Sequence, residues 1–317
     1  MVEAIAEHAR LIESPLTPQE VDKSRWRDLY TSSLRAKELR IPQSPQRNSK
    51  PEDIEPWNLE PLRQAHMHDL VDLVTKSIDR PVSTWLPEVI EALLLSEMSC
   101  TELLRRAAQE SPQEIVQIIA AFDKSFPVEE LNPWDPSPDP WATSDRDRVI
   151  GGYLAQVARK HGAFSSPAII VGLRRVGLPE LVNAYLSSLS KVQPAPNIVR
   201  IVNHLRFTTL SGDADALLAQ IGEKRNSEQV IEFAQYIGAH GQPGDRTKIM
   251  KGAGRSWYQL DSVSFEAKKS NVDDDFIKEA IWGIPYGKHA DFSDELTKAG
   301  NPKLADRVRR AENEPPF

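Results

Sequence analysis

Residues 166–240 read SPAIIVGLRRVGLPELVNAYLSSLSKVQPAPNIVRIVNHLRFTTLSGDADALLAQIGEKRNSEQVIEFAQYIGAH. Leu181, Val182, Tyr185, Leu186 and Leu189 recur so that all five fall on one side of a helix. Stops and restarts stand between such stripes: Gly177-Leu178-Pro179, Gly212-Asp213 and Gly241–Asp245. Glycine takes the left-handed conformation that ends a helix, and Pro or Asp restarts the next one. The run AIIVG at 168–172 is the best strand candidate in the chain. Its Ser-Pro start and its continuation through Leu173 and Val176 read as helix instead.

The same unit recurs on both sides of this stretch. PEVIEALL from Pro87, PQEIVQII from Pro112, PAIIVGLR from Pro167, PNIVRIVNHL from Pro196 and EQVIEFAQYI from Glu228 each begin on a helix-start residue. Each then carries a β-branched pair: Val89-Ile90, Ile115-Val116, Ile169-Ile170, Ile198-Val199 and Val230-Ile231. Successive starts are 25, 55, 29 and 32 residues apart, and the long step holds a Pro/Trp-rich insert and an extra helix at 145–160. A period of roughly 30 residues built as helix–turn–helix predicts an all-α fold, a right-handed α-solenoid with an N-terminal helical arm. Thr17-Pro18-Gln19-Glu20 and Ser111-Pro112-Gln113-Glu114 are capping boxes with Pro at the first helical position. Ser166 before Pro167 and Ser293 before Asp294-Glu295 read as further N-caps.

Residues 81–255 resemble tetratricopeptide- and pentatricopeptide-type helical hairpin repeats, in the degenerate form found in bacterial regulatory and scaffold proteins. The resemblance implies a non-enzymatic interaction surface. The polar positions with which pentatricopeptide proteins read RNA are not recognisable here, so RNA reading is not carried over.

Composition narrows the function classes. The chain has 317 residues, a formal net charge of −7 and a pI near 5.6. No apolar run reaches the roughly 18 residues of a membrane span, and the one cysteine, Cys100, makes no internal disulfide. Net acidity argues against a dedicated duplex-DNA binder. The start, MVEAIAEHARLI, lacks the basic then apolar pattern of a secretory signal, so a cytoplasmic location is expected. Proline clusters at 42–61 and 127–140 divide the chain into an arm and linker (1–56), a repeat domain (57–311) with an insert at 127–148, and a frayed tail (312–317).

Motifs that suggest chemistry have simpler readings. His66 and His68 point about 200° apart on a helix and cannot share a metal. Asp273-Asp274-Asp275 complements a helix N-terminus. Lys251-Gly252-Ala253-Gly254-Arg255 is not a phosphate loop and follows no strand. Cys100 has no identifiable base. No catalytic residue, metal or cofactor is assigned.

The candidate binding residues are of two kinds. Trp134 and Trp141 flank DPSPDP in the insert and either fold back on the repeats or anchor a partner. Arg174, Arg175, Asn203, His204, Arg206 and Gln235 are polar positions in first helices, which usually line a concave surface. The leading expectation is a scaffold that binds another protein or an extended peptide. One alternative is a nucleic-acid regulator using Lys23–Arg27 and Arg35–Arg40; the other is an all-helical enzyme with a cleft site.

Overall fold

A stripe of apolar residues with charge on the opposite side is stable only when neighbouring helices cover the stripe. The computed structural model describes residues 57, 59, 62, 63, 67–77, 79–126, 144–272 and 274–312. All belong to the unit Trp57–Phe317. Among them are fifteen α-helices, a short 3₁₀ turn at Val82–Thr84 and no strand. The helices are α1 (His68–Ser77), α2 (Leu86–Leu95), α3 (Thr101–Ala107), α4 (Pro112–Ser125), α5 (Asp145–Lys160), α6 (Ser166–Arg175), α7 (Glu180–Val192) and α8 (Ala195–Phe207). They continue as α9 (Ser211–Lys224), α10 (Ser227–His240), α11 (Asp245–Ala253), α12 (Trp257–Lys269), α13 (Asp274–Ile281), α14 (His289–Lys298) and α15 (Pro302–Ala311).

The chain is all-α, and AIIVG lies inside α6. No described helix is long and apolar enough to cross a membrane. The expected arm, linker and tail, with the Thr17 capping box, lie outside the described residues or at their margin. Helix α5 begins at Asp145, so the end of the expected 127–148 insert is helical.

Packing follows chain order in two series. In the first, α2, α4, α6, α8, α10, α12 and α14 each touch the next member. In the second, α3, α5, α7, α9, α11 and α13 do the same. The series meet through successive pairs, from α4 with α5 to α12 with α13, and α14 packs on α15. One continuous core results, with Tyr153 and Leu154 of α5, Ile169 and Ile170 of α6, Tyr185 of α7 and Ile198 of α8 fully buried. Each such side chain contributes about 1.5–3 kcal/mol by leaving water.

A second repeating element joins these helices. His161, Gln193 and Arg225 stand just past α5, α7 and α9, 32 residues apart. Each satisfies carbonyls that a helix C-terminus leaves open. His161 Nε2 donates to Ala108 O (2.9 Å), and Gln193 Nε2 donates to Ala158 O. Arg225 donates to Ser190 O and Gln193 O, both at 2.6 Å. Gln259, in the first turn of α12, makes the same kind of contact, donating to Gly222 O (3.0 Å) and Arg225 O (2.7 Å).

Glycines set the closest helix approaches. A Cβ at Gly222 of α9 would overlap the Ile249 carbonyl of α11, and one at Gly252 would overlap that of Ala219. Gly254 and Gly283 meet backbone in the same way, at Ala280 and Lys251. The Lys-Gly-Ala-Gly segment is therefore a packing surface.

Several expected caps differ in detail. Ser111 Oγ accepts from Glu114 N (3.3 Å), but the Glu114 carboxylate does not return to Ser111; it accepts from Ser83 N (2.8 Å), tying α4 to the 3₁₀ turn. Ser166 is buried inside α6, donating to Gly162 O (2.9 Å) and accepting from Tyr185 OH (3.1 Å). Ser293 lies mid-helix in α14 and donates to Ala305 O (3.2 Å). Burial offered both hydroxyls a partner that a helix start did not. Side-chain caps not expected from the sequence are Ser144, Asn226 and Asn301. Gly212 sits in the first turn of α9, and Thr209 supplies the positive φ before it (63°).

Candidate functional site

The C-terminus of α5, the loop that follows it and the start of α8 enclose a cleft of about 240 Å³. Helix α5 ends in Arg159-Lys160, bases that suit the negative end of a helix dipole. His161 leaves the helix in an extended conformation and is anchored to Ala108 O. Burial holds its imidazole below the usual histidine range, so the neutral form is favoured. The loop Gly162–Ser165 then turns on Gly162 O, which accepts from Ser165 N (3.3 Å) and Ser166 N (3.1 Å). Phe164 emerges from it 75% exposed.

Gln193 forms one wall. It is buried, donates to Ala158 O of α5, and accepts from Asn197 Nδ2 of α8 (3.0 Å). This hydrogen-bonded link ties α8 to the end of α5 and places Arg200 opposite Arg159 and Lys160. No acidic side chain lines the cleft. Beyond it the exposed side of α8 continues through Arg200, Asn203 and Phe207, spaced three and four residues apart. His204 bridges the aromatic groups: its ring lies edge-on to Phe164 (4.8 Å) and stacked near Phe207 (6.3 Å).

The sequence-expected binding residues divide on this frame. Asn203 and His204 lie on α8 next to the cleft. Arg175 is exposed at the end of α6, and Gln235 is exposed on α10. Arg174 donates both terminal nitrogens to Asp213 of α9 (2.8 and 2.6 Å). Arg206 does the same to Asp245 of α11 (3.0 and 2.5 Å) and also reaches Asp215 (3.3 Å). These two guanidinium groups bridge the helix series. Trp134 and Trp141 lie outside the described residues.

Arg159, Lys160, Phe164, Asn197 and Arg200 were not singled out from the sequence. Two signals pointed to them. The 32-residue recurrence of His161, Gln193 and Arg225 marks the loop–helix junctions. The Arg200, Asn203, Phe207 spacing lies on the side of α8 opposite Ile198, Ile201, Val202 and Leu205.

Other sequence features settle elsewhere. Among the described residues no group of three or more His, Cys, Asp or Glu is placed to hold a metal ion. Asp274, at the start of α13, accepts both terminal nitrogens of Arg307 (2.6 and 3.0 Å). Cys100 is half-buried before α3, and burial pushes its thiol pKa up, away from the reactive thiolate. A wider, open hollow between α12 and the α14–α15 turn is lined by Asp261, Phe265, Lys268 and Asn301, with Asp261 already accepting from Asn301 (2.9 Å).

Comparison of the chain with protein-family models, with curated proteins and with solved structures finds no match.

Proposed function

We propose that the chain is a non-enzymatic binding protein: the two helix series stack as an α-solenoid, and the first series receives an extended segment of another protein. The chain-order packing and the recurrent His161, Gln193 and Arg225 anchors support the solenoid. One observation carries the binding role. The large apolar side chains left exposed in the described residues are Leu95, Phe164, Val171, Phe207, Tyr258, Phe265 and Tyr286. All seven lie on a first-series helix or in the loop entering one, and none lies on a second-series helix. Core burial would distribute such residues without regard to series. Concentration on one side marks a contact surface.

A photo-crosslinking amino acid placed at Phe207 or Phe265, compared with one at the exposed second-series positions Asn183 and Lys251, tests this in source cells. Discrete adducts from the first pair alone are expected. Equal labelling from both series, or none from either, refutes the reading.

A further inference from the structure

We infer that the Arg159–Lys160–Arg200 cleft is the specificity pocket of that surface and takes the carboxylates of a short acidic peptide, whose neighbouring apolar residue lies on Phe164 and Phe207. The inference rests on the proposed binding role and adds the chemistry of the partner.

The charges carry it. Guanidinium groups that cross between helices find fixed partners: Arg146 ends on Asp123, Arg174 on Asp213, Arg206 on Asp245 and Arg307 on Asp274, while Arg225 ends on the carbonyls of Ser190 and Gln193. Arg159, Lys160 and Arg200 form no ion pair among the described residues; the nearest approach is Arg159 to Gln156 Oε1, at 3.4 Å. In a chain of net charge −7, three unneutralised cations around one acid-free cleft are a local reversal of sign. Such groups gain most from a ligand that brings charge-assisted hydrogen bonds. The cleft is also built. Buried Gln193 holds Asn197 and the start of α8 against α5, so the cations approach from fixed backbone positions.

Size and surroundings select the ligand. About 240 Å³ falls below the roughly 300–1,000 Å³ of a drug-sized ligand site and suits one or two carboxylate side chains. Past the cleft, α8 offers Phe207 and the Phe164–His204 pair, which suit an apolar residue. A long polyanion is disfavoured. Running on from α8 to the next helix of the first series, it meets the exposed Glu228 and Glu232 of α10.

The test is fluorescence anisotropy on the full chain with a labelled peptide of mixed Glu and Leu. Controls are the same peptide with Lys for Glu, and a single-stranded RNA. Saturable binding of the acidic peptide alone is expected, weakening as salt rises. The triple variant R159A/K160A/R200A should weaken it roughly tenfold, the sum of three partly exposed pairs. Lys191→Ala, an exposed cation on α7, should leave it unchanged. Thermal unfolding of the triple variant reports whether its fold is kept; if it unfolds early, the single variant R200A is read instead. Equal binding by wild type and variant, no binding of the acidic peptide, or tighter binding of the RNA each overturns the inference. Because the crosslinks from Phe207 and Phe265 do not depend on ligand charge, their survival alongside a failed titration would leave the broader binding role standing.

Discussion

Arg206 and Asp245 show how one residue's role depends on its surroundings. The Asp245 side chain is 2% exposed and its two oxygens are occupied by Arg206 and by Gln242 N (2.9 Å). Removing the guanidinium would strand a buried carboxylate, which costs about 3–5 kcal/mol. Arg206→Ala should therefore lower stability by that amount, read from urea unfolding. The same change at exposed Arg175 should move it by less than about 0.5 kcal/mol. His161 supplies a pH dependence. Its folded pKa is depressed, so the unfolded chain binds the extra proton first, and its contribution is lost as pH falls below about 6.5. His161→Gln keeps a donor for Ala108 O, as Gln193 does for Ala158 O, and cannot titrate. The variant should lose less of its urea midpoint than wild type between pH 7.5 and 5.5; identical losses would show that His161 does not titrate in this way.

At the scale of the helix, the glycines separate packing from propensity. Gly222 and Gly252 allow α9 and α11 to touch backbone to backbone, and an added methyl has only a carbonyl to displace. Gly222→Ala should cost about 1–3 kcal/mol through overpacking. Gly151 lies in α5 with nothing within 4 Å of an added Cβ. Gly151→Ala should stabilise by roughly 0.5–1 kcal/mol, because alanine loses less backbone freedom. Paired thermal melts decide both, and opposite signs are expected. These two glycines look alike in sequence, since each interrupts an amphipathic helix. The difference lies in the neighbour: a second-series helix crosses at Gly222, and solvent faces Gly151.

Across the whole molecule, the proposed stacking makes stability a sum of neighbour contacts rather than one global value. Helices α7 to α11 have neighbours on both sides, whereas α14 and α15 end the series. Amide exchange followed by mass spectrometry should be slowest over α7–α11 and fastest over α14–α15, with intermediate values between. A single exchange rate across all helices would contradict the stacking.

Much of this organisation was legible in the sequence. The extra helix expected at 145–160 is α5, the stripe at 181–189 lies inside α7, and Ser111-Pro112 opens α4, because apolar period and helix caps are local properties of a few residues. Partner choice is not local. Nothing near Arg174 or Arg206 in the sequence says that aspartates 39 residues away would take them, or that Arg159, Lys160 and Arg200 would be left without one. Periodicity decided that this chain forms helices and which sides they bury. Only the register between helices, set by glycine contacts and carbonyl anchors tens of residues apart, decided which charges are neutralised and which face an open cleft.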